Sequence, residues 1–571
     1  MKEGKAIIIK NGFVYDPRNK VYGDRMDISI EDGRIVEDVR ESEALIIDAK
    51  DMLVLPGGVD IHSHIAGSKV NLGRLMRPED HRRSHESSTR GMRSGVGHTV
   101  PSTFATGYRY ARMGYTTVFE PASPPLKQRH THHELNDIPI LDKACFPLVG
   151  DNWFVLEYLS KGDLEACAAY IAWLLEATRG YALKIVNPGG IEAWGWGRNV
   201  RSLDDEVPYF RITPREILRG LCRVNRLLGL PHTIHVHANQ IGVPGNYGLL
   251  IETLKAVKRL GYGCEGKSLI HITHCQFNSY GGESWLTLSS EAEAIAKYVN
   301  RNPYVTIDLG QPIFADATTM TADGPFQYSL YLLTGAKWSN ADVEAETSAG
   351  IVPIRFRKRN RTNAIQWAIG LELALLIKDP WRVFLTTDHP NAGPFTAYPR
   401  VIAWLMSKRA REATMKGLHP MAMKRCILPS LDREYDFSEM VIVTRAGTAK
   451  ALGLKEKGHL GVGAHGDVAI YSINPKALDP SRDFKALRKG LRRTAYTIKG
   501  GVVVAKDGVI TNQPIGRTYW VKARVRSDLS EAVLKDVKAR FKDYYTIQFE
   551  NYALDDRHLA FSEPIAVSPM L

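Results

Sequence analysis

From residue 5 to residue 56, apolar and polar positions alternate in short runs: KAIIIKNGFVYD, MDISIEDGRIVE and ALIIDAKDMLVLP. A period of two, broken by NG, EDGR and AKD clusters, predicts short strands joined by tight turns. A related texture returns in GHLGVGAHGDVAIYSINP, RRTAYTIKGGVVVAKDGVIT and RTYWVKA. Two β-rich ends around a long middle predict one side domain assembled from residues 1–56 and 446–525. Residues 526–571 read as a C-terminal helix and tail, because Leu529, Val533, Leu534, Val537 and Phe541 recur at helical spacing.

Between 57 and 445 the pattern changes to continuous apolar runs separated by helical periodicity. GVDIHSH (58–64), YTTVFEP (115–121), ACFPLVG (144–150) and YALKIVN (181–187) are the first four candidate strands. HTIHVHA (232–238), SLIHITH (268–274), YVTIDLG (304–310) and RVFLTTDH (382–389) are the other four. Strands covered on both faces read as near-continuous apolar runs. Eight of them alternating with helices predict a (β/α)8 TIM-type barrel. The expected class is α/β, a barrel with a composite β-rich side domain from both termini. Insertions at 65–103 and 311–363 are long for connectors and predict lids or interface segments at the barrel mouth.

The 571 residues would allow three or four domains by length, but one barrel with insertions absorbs much of that. No uninterrupted apolar run is long enough to cross a bilayer. The start, MKEGKAIIIKNG, lacks the apolar stretch and cleavage site of a signal peptide. Six cysteines form no CxxC pair, so a reducing cytoplasm is the expected compartment. The net charge of +13 raises nucleic acid as a partner. The basic runs RFRKRNR (355–361) and KALRKGLRR (485–493) carry no interleaved aromatics for base stacking. Solvated faces, subunit contacts or steering of an anionic substrate explain them as well.

The chemistry sits at the strand ends. His62 and His64 are two apart, so both point to one face and supply half of a zinc site. Asp388 closes LTTDH, and an acid at the C-terminal end of a barrel strand reads as catalytic; the alternative is a helix N-cap. Lys184 lies inside YALKIV, where a lysine must neutralise, pair with a carboxylate or become modified. Reaction with CO2 would make it an anionic carbamate able to bridge two metals. His237 and His274 end the fifth and sixth strands, whereas His232, His235 and His271 lie deeper and read as packed groups or as groups that support the ligands. The HTHH cluster at 130–133 reads as polar surface. Six candidate ligands, each ending an appropriate strand, fit two divalent ions better than six accidents.

HxH, Lys, His, His and Asp in that order resembles the binuclear amidohydrolase superfamily, which includes dihydroorotases and hydantoinases. More narrowly, PGGVDIHSHIAGSKVN, VPSTFATGYRYARMGYTT, LKIVNPGGIEAWGWG, HCQFNSYGGESW, TTMTADGPFQYSL and LTTDHPNAGPFTAYPRVIAWLMS resemble the amidohydrolase-type subunits of formylmethanofuran dehydrogenases. Related bacterial formyltransferase/hydrolase complex subunits are near neighbours of that family. The resemblance implies two zinc ions held by His62, His64, Lys184 as N6-carboxylysine, His237, His274 and Asp388, with Asp388 moving the proton. It implies condensation of formate with the amine of methanofuran. It also implies partner subunits that carry molybdopterin or tungstopterin and iron–sulfur clusters. A free-standing cyclic-amide hydrolase and a metal-free scaffold protein are the alternatives.

Overall fold

The computed structural model describes residues 6–89, 91–340 and 350–567. Its first layer is a nine-stranded sheet. Ala6–Asp16 pairs antiparallel with Val21–Glu31 and parallel with Ala44–Asp48 and Leu53–Pro56. Two Asp-Gly pairs, like Gly500-Gly501, make two-residue hairpins. Asp32 (φ 46°) and Gly33 (φ 78°) are both left-handed, as are Asp507 (φ 49°) and Gly508 (φ 72°). Two successive positive φ angles give the two-residue turn whose twist matches that of the flanking strands. The N-terminal and C-terminal segments meet where Leu53–Pro56 pairs antiparallel with Val468–Tyr471. Tyr496–Lys499, Val502–Lys506 and Val509–Ile510 continue the sheet.

The second layer contains eight parallel strands, one overlapping each of the eight apolar runs. Gly58–Asp60, Tyr115–Ser123 and Asp142–Pro147 are neighbours in one sheet. Lys184–Val186, Ile234–His237, Ile270–Ile272, Val305–Asp308 and Val383–Phe384 are neighbours in sequence order in another. Isolated parallel bridges, Leu148 to Lys184 and Ser63 to His389, connect the two sheets. Ile185, Val236, Ile272, Ile307 and Val383 form one register row, buried in the apolar core. The opposite face carries a different row. Lys184 is in register with His235, His235 with His271, and His271 with Thr306. Because side chains alternate along a strand, one register row places these polar groups together inside the molecule.

RTYWVKA departs from the expected side-domain pairing. Thr518–Ala523 pairs with Asp142–Pro147 and with Ser562–Val567, extending the parallel sheet and not the nine-stranded one. A period-two pattern states which face is buried but not which edge a strand joins. The helix Ser527–Tyr544 buries Val533, Val537 and Phe541. The 311–363 insertion contains the antiparallel strands Asp316–Thr321 and Gly350–Arg355 and the helix Gly324–Thr334; its residues 341–349 lie outside those described. No helix among the described residues is long and apolar enough to cross a membrane.

Candidate metal centre

His62 and His64 lie just beyond the strand Gly58–Asp60, and Asp388 just beyond Val383–Phe384. Asp388 Oδ1 is 2.9 Å from His62 Nε2 and 3.4 Å from His64 Nε2. One ligand atom from each of these three buried residues lies within 4.8 Å of the others. The backbone of Asp388 is left-handed (φ 46°), as is that of His274 (φ 35°). Such a conformation costs about 1–3 kcal/mol and persists only where neighbours enforce it. Asn391 enforces the first: its Nδ2 donates to Asp388 Oδ1 (2.8 Å) and its backbone N–H to the Asp388 carbonyl (2.6 Å). Gly310 makes room for the second, since a Cβ there would sit 2.3 Å from His274 Cβ, and Asp308 holds the His274 backbone N–H at 2.9 Å.

The other three expected ligands lie around this triple. The His274 ring centroid is 5.5 Å from that of His62 and 4.7 Å from that of His237. Lys184 is buried, and its Nζ reaches Thr273 Oγ1 at a long 3.5 Å. Burial lowers its pKa to about 7, against the pull of Asp388 and Asp308. Burial likewise pushes the His62, His237 and His274 imidazoles well below the ordinary histidine range, helped by neighbouring positive groups. The HTHH run lies on the helix Gln128–Asn136, where His132 is buried against the Thr178 carbonyl (3.0 Å).

Four groups that the strand-end pattern did not select complete the site. Glu120 Oε1 accepts a hydrogen bond from His64 Nδ1 at 2.8 Å, and its Oε2 accepts from the backbone N–H groups of Ile65 and Ala66. Asp308 receives His271 Nε2 (3.1 Å), Thr386 Oγ1 (2.6 Å) and the His274 backbone N–H (2.9 Å). Asp323 Oδ2 is 3.1 Å from His237 Nε2. Lys69 is buried with its Nζ 3.9 Å from Glu120. Glu120 and Asp308 were legible: each is an acid inside an apolar strand, the argument that singles out Lys184. Asp323 carries no local signal, because it reaches the site from the distant 311–363 insertion.

The profile of the amidohydrolase family matches residues 45–505. The chain belongs to the amidohydrolase family. It is 53% identical over 559 residues to protein FwdA of Methanocaldococcus jannaschii, covering 96% of this chain and 97% of that one. It is 36% identical over 539 residues to one component of the formyltransferase/hydrolase complex Fhc of Methylorubrum extorquens, covering 93% of each. The fold matches a chain in the crystal structure of that organism's FhcABCD complex with methylofuran (TM-score 0.88, 34% identity, 98% of this chain and 99% of that chain).

Amidohydrolases are typically binuclear metal enzymes, and the His/Asp groups here can bind metal. The donor set fits. Among the buried polar atoms without a hydrogen-bond partner are His62 Nε2 and His274 Nδ1. The first faces a carboxylate oxygen at 2.9 Å without forming a hydrogen bond to it, so two ligand-type atoms lie side by side as they would around a cation. Histidine nitrogen with carboxylate oxygen is the ligand set of a divalent site. Beside this amidohydrolase centre lies a cavity of about 1070 Å³, lined by Asp388, Asn391, Asp323, Asn187, Phe277 and Trp285 among others.

Proposed function

We propose that this chain is a binuclear metal amidohydrolase that condenses formate with the primary amine of methanofuran and hydrolyses N-formylmethanofuran in reverse. It would act as the amidohydrolase component of a CO2-reducing formylmethanofuran dehydrogenase complex. The observation that carries this reading is the near full-length likeness to one component of a formyltransferase/hydrolase complex. That likeness covers the insertions that shape the cavity as well as the strands.

In this reading the eight parallel strands close into a TIM-type barrel over residues 57–445; the two isolated bridges between the sheets support closure. The strands of 1–56 pair with those of 446–510 as the side domain, and 526–571 supply the C-terminal helix and tail. Two zinc ions are held by His62, His64, Lys184 as N6-carboxylysine, His237, His274 and Asp388. The carbamate is supported by the place of Lys184: an ammonium there would be buried among imidazoles with one weak contact. Such ions supply polarisation of the formyl carbonyl and water that ionises near neutral pH.

Asp388 lies at the wall of the cavity. In hydrolysis its carboxylate takes the proton of the attacking water and passes it to the amine nitrogen as the C–N bond breaks. In condensation it takes the proton from the attacking amine and gives it to the departing oxygen. Partner subunits bearing the pterin and iron–sulfur centres would make the formate, in the cytoplasm. Among the described residues the six cysteines form no disulfide, and four of them are buried, which agrees with redox chemistry residing elsewhere.

The test is hydrolysis of N-formylmethanofuran, or of N-formyl furfurylamine, by the zinc-loaded full chain. Formate release should stop on chelation and return with zinc. A loaded chain that opens dihydroorotate or hydantoin rings and leaves the formamide intact would overturn the reading.

A further inference from the structure

A line of buried imidazoles runs from a helix end to the metal centre. The helix Gly447–Leu452 ends near Ala451, and the last carbonyls of a helix have no partner within it. The Ala451 carbonyl is 2.7 Å from His232 Nδ1. His232 Nε2 is 3.0 Å from His235 Nδ1, and His235 Nε2 is 2.9 Å from His62 Nδ1. His232, His235 and His62 are fully buried.

A carbonyl oxygen can only accept, so the direction of every bond in this line is fixed. His232 donates from Nδ1, which leaves its Nε2 as an acceptor. His235 therefore donates from Nδ1 and accepts at Nε2. His62 in turn donates from Nδ1, toward an Asp308 oxygen at 3.6 Å as well, and is left with a bare lone pair on Nε2. That atom faces Asp388 at 2.9 Å. The line requires neutral rings, each with one donor and one acceptor nitrogen. The far end is a carbonyl that cannot take up a proton, so the line orients His62 and offers no proton exit.

We propose that His232 and His235 are positioning residues: anchored on the Ala451 carbonyl, they lock His62 in the tautomer that presents Nε2 to the metal. This rests on the metal-centre reading above. His271 reinforces the line by stacking on His235, with ring centroids 4.7 Å apart at 23°.

The test compares His232→Leu, which removes both bonds, with His232→Gln, whose amide can donate to Ala451 and accept from His235. Zinc affinity of the full chain is measured by competition with a chromophoric chelator. His232→Leu should lose about 10- to 100-fold in affinity, the usual effect of removing a group that orients a ligand. His232→Gln should stay near wild type, and excess zinc should restore most turnover to His232→Leu. Folded His232→Leu binding zinc like wild type would overturn the relay. Wild-type protein that binds no zinc would instead overturn the metal-centre reading. Should His232→Leu fail to fold, neutron diffraction of the wild type decides: deuterium on Nδ1 of His232, His235 and His62 is expected, and deuterium on Nε2 of His62 or His235 refutes it.

Discussion

Lys184 and Asp388 both depend on burial, but for different purposes. A buried ammonium is costly unless paired, and Lys184 meets a threonine hydroxyl at 3.5 Å in place of a close carboxylate. A carbamate would replace that charge with two oxygen ligands. Lys184→Ala should therefore lose metal and activity together, with partial rescue by short carboxylates such as acetate. Metal content by elemental analysis checks this, and a metal-loaded wild-type structure with an unmodified ammonium would refute it. Asp388 touches His62 and His64 and is clamped by Asn391. Asp388→Asn keeps the shape and one oxygen ligand but removes a proton acceptor. Metal content should fall modestly while formamide hydrolysis falls by about 10²–10⁴. A variant that holds two ions and turns over near the wild-type rate would reduce Asp388 to a ligand.

Between elements, a buried ion network fastens the nine-stranded sheet to the parallel strands. Lys457 Nζ is 2.6 Å from both Asp142, which opens the strand Asp142–Pro147, and Asp467, which precedes Val468–Tyr471. Lys499 joins the same two carboxylates at 3.0 and 3.4 Å. Against the penalty of burial, the two lysines hold the Asp142 carboxyl down at about 2 and depress Asp467 further. A carboxylate depressed from about 3.9 in the unfolded chain contributes stability above that pH. The contribution is lost as pH falls through the folded value. Unfolding midpoints should therefore drop between about pH 4 and pH 2. Lys457→Met leaves two buried carboxylates to one lysine, so stability at neutral pH should fall by about 3–5 kcal/mol, and the acid-dependent loss should shrink. An unchanged acid slope in that variant would mean that the network does not couple the sheets.

For the whole molecule, the direction of reaction is a matter of assembly. Joining formate to an amine in water is uphill, and holding reactants together raises their effective concentration. The isolated, zinc-loaded chain should hydrolyse the formamide yet give no net product from dilute labelled formate and amine. The assembled complex, fed labelled CO2 and reductant, should incorporate the label. Net synthesis by the chain alone would contradict that division of labour. Mass spectrometry of co-purified proteins supplies the second check, with pterin and iron–sulfur subunits expected.

The sequence by itself determined the local features. Apolar runs located all eight parallel strands, because burial on both faces leaves a composition that needs no partner to be read. Of the three expected turn clusters, EDGR marked a hairpin at Asp32-Gly33. NG lies inside the strand Ala6–Asp16, and AKD joins two strands that both run parallel to it, because a local turn signal does not say which strand will be the partner. His62, His64 and Asp388 were selectable as polar residues closing apolar strands, and the structure brings those three together. Only the tertiary structure decided which edge Thr518–Ala523 would join, because alternation fixes a face and not a neighbour. It likewise decided that Asp323 would come from a distant insertion to meet His237. It also separated packing from ligand support for His232 and His235, which the sequence left open: a helix carbonyl, the two rings and His62 fall into line only in the fold.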